Sequence, residues 1–310
     1  MKRLLVSVLV GALVGVFPAH ATTYVCEAPR CEDIQVPAPG LIVPDDHVRV
    51  LLPADYGSTT KRYPVLYLLH GAGDTYKTWS ENTDVDSLTA NDGLIVVMPD
   101  AGKSPESGWY TDWVDHSRQW ESFHIGAMIP YIDATFRTLA DKQHRAVAGL
   151  SMGGYGAMYY AAKYPQLFGL AASFSGAVDI TYGTPASGVA FSALHQMYGT
   201  PNDNVWGNQV TDRANWQAHN PADLAADLAG VKVLLATGDG LPGGTHEDPS
   251  NLGGYGLEQG IFQMNLSFVR ALTLAGVAHT DRFYGSGQHS WPYWQDDLHW
   301  AMPDILTTIG

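Results

Sequence analysis

Residues 146–160 read AVAGLSMGGYGAMYY. Ser151 lies at the centre of Gly149-Leu150-Ser151-Met152-Gly153, a G-x-S-x-G string between a short apolar run and a stretch of helical composition. A serine on a sharp strand-to-helix turn has its hydroxyl lifted clear of the backbone, and the helix that follows points its positive end toward it. The glycines two before and two after have a steric reason, since larger side chains would collide with the turn or the adjoining strand. A hydroxyl becomes a nucleophile only when an imidazole takes its proton and a carboxylate orients that imidazole. The chemistry in view is acyl transfer through a covalent serine intermediate.

Where the chain order is serine, acid, histidine, the base comes late. The histidines after Ser151 are His195, His219, His246, His279, His289 and His299. His289, in Gly287-Gln288-His289-Ser290-Trp291, follows a strand-like segment and precedes the last helical pattern, where a loop can bring imidazole back to the serine. His279 falls beside the preceding strand and His299 within the final helix. For the acid, Asp239 follows the buried run VKVLLAT almost directly, and position alone favours it; Glu247, Asp248 and Glu258 lie farther along. Stabilising a tetrahedral oxyanion takes two backbone N–H groups, one from the residue after the nucleophile. That residue is Met152. The second is expected from Leu68-Leu69-His70-Gly71-Ala72-Gly73, with Ala72 first, Gly73 next, and His70 shaping the loop.

The elements that must position these groups are legible as alternating patterns. Apolar strand-like runs cover 47–52, 62–69, 93–98, 146–150, 170–175, 231–237 and 279–284. Helical patterns cover 121–136, 154–163, 257–275 and 293–309, the last expected to break or restart at Pro303. Residues 22–44 are Pro-rich and read as irregular. Strands alternating with helices predict a mostly parallel sheet covered on both faces. Gly/Pro-rich stretches at 181–188 and 238–256 read as long surface loops.

Bulk composition narrows the function classes. The chain has 310 residues, 45% hydrophobic and 11% aromatic, enough for a sizeable core. A net charge of −14 with no basic run past residue 3 excludes a nucleic-acid partner, which needs clustered Lys and Arg. Lys2 and Arg3 precede LLVSVLVGALVGVF and then Ala19-His20-Ala21, the layout of a cleaved secretory signal over 1–21. The remainder, 22–310, is then one extracytoplasmic domain with no integral membrane segment. Cys26 and Cys31 are the only cysteines, and their closeness in an exported chain predicts a local disulfide. No cofactor or metal is called for; Thr245-His246-Glu247-Asp248 reads as a solvated loop.

YLLHGAGD, DWV, AVAGLSMGGYGA, SFSG and GQHSWPYW, in that order, resemble the esterase D-like α/β-hydrolases, and most closely the secreted antigen 85 mycolyltransferase branch. The match runs from about residue 45 to the C-terminus. The resemblance implies the α/β-hydrolase fold, a mostly parallel central sheet with helices on both faces. It also implies a glutamate acid opening the helix before the final strand, which puts Glu258 ahead of Asp239. It agrees with Ala72 and Met152 as oxyanion donors. In one respect the chain departs from that branch: where mycolyltransferases carry a trehalose-binding arginine after the oxyanion-loop residue, this sequence has Gly73-Asp74. Trp109, Trp113 and Trp291, with Gly73, are candidates to line a pocket for an acyl or aryl group. The expected activity is hydrolysis of a small-molecule, lipid or sugar ester. Two other readings stand beside it: acyl transfer to a sugar or glycerol hydroxyl, and a non-catalytic secreted binding protein, which predicts a broken Ser-acid-His set.

Overall fold

The computed structural model describes residues 30–182 and 202–310. The expected signal segment, Cys26 and His195 lie outside the described residues. Eight strands form one sheet in the order β1-β2-β4-β3-β5-β6-β7-β8. They are β1 (Cys31–Gln35), β2 (His47–Leu51), β3 (Val65–Leu69), β4 (Ile95–Pro99), β5 (Arg145–Leu150), β6 (Leu170–Phe174), β7 (Lys232–Thr237) and β8 (His279–Phe283). From β4 onward across the sheet every pairing is parallel; β1–β2 and β2–β4 are antiparallel.

Successive side chains of a strand point to opposite faces, and each face here meets its own core. Tyr67, Leu69, Val147, Val233 and Leu235 join one apolar cluster, and Leu66, Leu68, Ala148, Leu150, Leu234 and Ala236 the other. That is why these strands read as continuous apolar runs rather than alternating ones. The α-helices of five residues or more are α1 (Thr78–Asn82), α2 (Val85–Thr89), α3 (Ile129–Thr135), α4 (Met152–Lys163), α5 (Arg213–Ala218), α6 (Leu252–Ala275) and α7 (Trp291–Ile309). Helices α4 and α6 pack on the first cluster; Trp294, Leu298, Ala301, Met302, Ile305 and Ile309 of α7 pack on the second.

Several expectations need correction. Residues 22–44 are not wholly irregular, because Cys31–Gln35 is an edge strand on which Glu32, Asp33 and Gln35 are exposed. The 121–136 pattern is one π-helical stretch, Ser122–Met128, running into α3. Pro303 sits inside α7 without ending it. Helix α6 starts at Leu252 rather than 257, capped by the Asn251 side chain on the Gly254 N–H. Cys31 is disulfide-bonded, with the Cys26 half of the expected pair outside the described residues.

Candidate active site

Ser151 joins β5 to α4 with φ 52° and ψ −116°. A non-glycine residue held there costs on the order of 1–3 kcal/mol, so the surroundings must enforce it. They do: its N–H donates to Phe174 O at 2.9 Å, and its carbonyl accepts the Tyr155 N–H at 3.0 Å. The flanking glycines are obligatory. A Cβ on Gly149 would lie 2.5 Å from the Gly153 backbone, and one on Gly153 would lie 2.3 Å from Leu69 O. Main chain cannot yield as a flexible side chain can.

His289 lies on the loop between β8 and α7, and Glu258 lies in the second turn of α6. His289 Nδ1 is 2.7 Å from Glu258 Oε2, and Nε2 is 2.9 Å from Ser151 Oγ. A carboxylate can only accept, so Nδ1 carries the proton and Nε2 offers its lone pair to the serine hydroxyl. Glu258 is fully buried on the stripe Glu258, Ile261, Asn265, Phe268, Leu272 that α6 presents to the core. Burying a carboxylate is costly unless its oxygens are satisfied. Oε1 accepts from Ser175 Oγ at 2.7 Å, Thr237 Oγ1 at 3.0 Å and the Gly238 N–H at 2.8 Å. These three donors come from the C-terminal ends of β6 and β7, the side of a parallel sheet where sites form. Ser175 is held at φ 45°, a second strained residue beside the first. Sequence reasoning did not single out Ser175, Thr237 or Gly238; SFSG was seen as a motif without a role.

The other acids serve elsewhere. Asp239 Oδ1 accepts the Leu241 N–H at 2.8 Å in a turn, Glu247 accepts from Tyr255 Oη at 2.7 Å, and Asp248 caps Ser250 at 2.9 Å. The other described histidines after Ser151 are likewise engaged. His219 Nδ1–H donates to Asn215 O, His246 pairs with Asp296, His279 lies near Asp281, and His299 meets Asp84.

The loop after β3 runs past the serine, since a Cβ on Gly71 would lie 3.5 Å from Ser151 Cβ. His70 is buried and shapes this loop. Its Nε2 accepts the Ala101 N–H at 2.9 Å, so Nδ1–H donates to Gly71 O at 2.8 Å, and burial holds the ring's pKa below its usual value. Asp74 Oδ2 accepts the Gly71 N–H at 3.2 Å. Burial pushes the Asp74 carboxyl up to about 7. Gly73 has φ 83°, which suits glycine. As the first residue of α4, Met152 has no acceptor for its N–H within its helix.

Of the three tryptophans, Trp109 and Trp113 are core residues. Trp109 packs edge-on against Tyr155 and Trp206, and Trp113 Nε1–H donates to Gly108 O. Trp291 is half-buried against Trp79 and Trp294, and Trp294 stands edge-to-face with the His289 ring at 4.9 Å between centroids. A cavity of about 480 Å³ lined by Ala38, Leu41, Ile125 and Tyr164 opens at the far end of α4, a helix length of about 18 Å from the serine. It is not the space over Ser151.

Parallel strands wrapped by helices, with a serine on the turn after the fifth strand, define an α/β-hydrolase. The chain belongs to the Esterase family, whose model matches residues 44–305. It is 36% identical over 239 residues to Esterase Rv1288 of Mycobacterium tuberculosis H37Rv, a match covering 75% of this chain. The chain spans about half the length of that relative, 50%. It is 29% identical over 333 residues to the diacylglycerol acyltransferase/mycolyltransferase Ag85B of Mycobacterium avium, covering 100% of this chain and 94% of the relative. Among solved structures it is similar to Mycobacterium tuberculosis MPT51 (FbpC1), with a TM-score of 0.70 and 26% identity over 90% of this chain and 99% of the other.

Proposed function

We propose that this protein is an exported serine esterase that cleaves carboxylic esters through an acyl-enzyme on Ser151. The observation that carries the reading is the unbroken relay from Ser151 Oγ through His289 to Glu258, at 2.9 and 2.7 Å. As Oγ attacks the ester carbonyl carbon, His289 Nε2 takes its proton. Negative charge moves to the carbonyl oxygen, where the Ala72 and Met152 N–H groups donate to it. Glu258 holds the imidazolium in register. The intermediate collapses, His289 protonates the departing alkoxide, and the alcohol leaves. A water molecule then gives His289 a proton and attacks the acyl carbon, releasing the acid and restoring Ser151. Export rests on the signal-like residues 1–21; no helix among the described residues is long and apolar enough to cross a membrane.

Labelling with a fluorophosphonate, alongside hydrolysis of a p-nitrophenyl ester, tests the reading. Both signals are expected to vanish in Ser151→Ala; retention of either would refute it. The full-length similarity to Ag85B favours a second reading in which a sugar or glycerol hydroxyl replaces water at the same acyl-enzyme. Against it stands Gly73-Asp74 in place of the arginine of that branch. Products analysed with and without glycerol or a disaccharide separate hydrolysis from transfer. A binding protein without chemistry would have no need of a fully satisfied buried glutamate.

A further inference from the structure

Gln288, the residue before His289, is completely buried. A buried primary amide must find partners for its donors and its acceptor. This one grips a single residue twice. Oε1 accepts the Asp248 N–H at 3.1 Å, and Nε2 donates to Asp248 O at 2.6 Å. Strands pair with one another in this way; here a side chain does it. One position on, the His289 N–H donates to Gly254 O at 3.1 Å. Three hydrogen bonds therefore fasten the imidazole-bearing loop to the segment 248–254.

That segment is in turn rigidly joined to the helix carrying the carboxylate. Asn251 N–H donates to Asp248 O at 3.0 Å, and Asn251 Oδ1 accepts the Gly254 N–H at 2.9 Å, closing the first turn of α6. Glu258 follows Gly254 by four residues, one helical turn. Besides the imidazole–carboxylate contact itself, this lacing is a direct tie between the two groups.

We infer that Gln288 is a positioning residue: it locks the His289 loop onto the start of α6, so that imidazole and carboxylate move as one body. The inference rests on the roles given above to Ser151, His289 and Glu258. Without the amide, the Asp248 N–H loses its partner, the Asp248 carbonyl keeps only the Asn251 N–H, and of the three bonds to segment 248–254 only that of the His289 N–H remains. Misplacement of a reacting group by about 1 Å costs on the order of 100-fold in rate.

Gln288→Met keeps length and volume and removes both side-chain hydrogen bonds. The expected result is a kcat on the order of 10- to 100-fold lower, with KM changed by less than about threefold. A folded variant with wild-type kcat overturns the inference, and so does a loss carried mainly by a raised KM. If Gln288→Met does not fold, Gln288→Glu serves instead, because it keeps the acceptor for the Asp248 N–H and loses the donor. The same loss of kcat with little change in KM is expected of it, and wild-type values overturn the inference. Ser151→Ala assayed in parallel keeps the failures apart. Activity surviving there sinks the esterase reading itself, whereas a dead Ser151→Ala beside a wild-type-like Gln288 variant sinks only the role of Gln288.

Discussion

Asp74 is the most informative carboxyl to perturb. Burial raises it from the usual 3.8 to about 7, against which the Gly71 N–H works in the opposite direction. A rise of that size makes the ionised form about 4 kcal/mol more costly in the fold than in the unfolded chain. The side chain is only partly buried, so solvent screening trims the figure to about 2–3 kcal/mol. The sign follows from proton counting. Between pH 4 and 7 the folded state keeps a proton that the unfolded state has released, so stability falls as pH rises through that window and levels off above it. Asn cannot ionise, and its carbonyl can still accept the Gly71 N–H. Asp74→Asn should therefore match wild type near pH 4 and exceed it by about 2 kcal/mol at pH 8.5, or roughly 3 °C in melting temperature for a chain this size. Urea or thermal unfolding of both proteins across pH 5 to 8.5 reads the gap. Glu81→Gln, at an exposed carboxylate, is the control for net charge. A gap that stays constant within about 0.5 kcal/mol would refute the reasoning.

Other expectations test the site. Glu258→Gln should lower kcat by on the order of 100- to 10,000-fold, because an amide facing Nδ1 no longer fixes the tautomer. Asp239→Asn should leave kcat within about threefold, since its contacts stay in a turn; steady-state kinetics rank the two, and the reverse order returns the acid role to Asp239. Gly153→Ala forces a Cβ to 2.3 Å from Leu69 O and 2.7 Å from His70 O, and should destabilise the fold by about 1–3 kcal/mol in urea unfolding. Gly253→Ala meets nothing within 4 Å inside α6 and should be neutral or stabilise by about 0.5–1 kcal/mol.

The parallel core of the sheet was legible because burial on both faces leaves uninterrupted apolar runs; each predicted strand lies within a few residues of where the structure has it. β1 was not, because CEDIQ on an exposed edge carries no such pattern. Strand position pointed to Asp239 as the acid, and only the family resemblance turned attention to Glu258. The physical signal was present all the same: a glutamate on the apolar stripe of α6 has to be satisfied by something. Ser175 and Thr237 do this from strands 83 and 21 residues away, and no local spacing reveals such a meeting. Trp109 and Trp113 misled for a related reason, because aromatic type does not say which way a ring faces. The early start of α6 was hidden by Gly253, Gly254 and Gly256, poor helix formers overridden by the Asn251 cap.

The hydroxyl and the imidazole that it meets are 138 residues apart along the chain. A contact of such long range must meet the entropy of closing a long loop before it returns any stabilisation, which slows its formation relative to local helices and hairpins. On the proposed mechanism, a molecule whose C-terminal third has not docked would carry an inert alcohol at Ser151, and reactivity is expected to appear only when His289 arrives. Appearance of fluorophosphonate reactivity after dilution from denaturant would time that last closure, separately from the earlier collapse that tryptophan fluorescence follows.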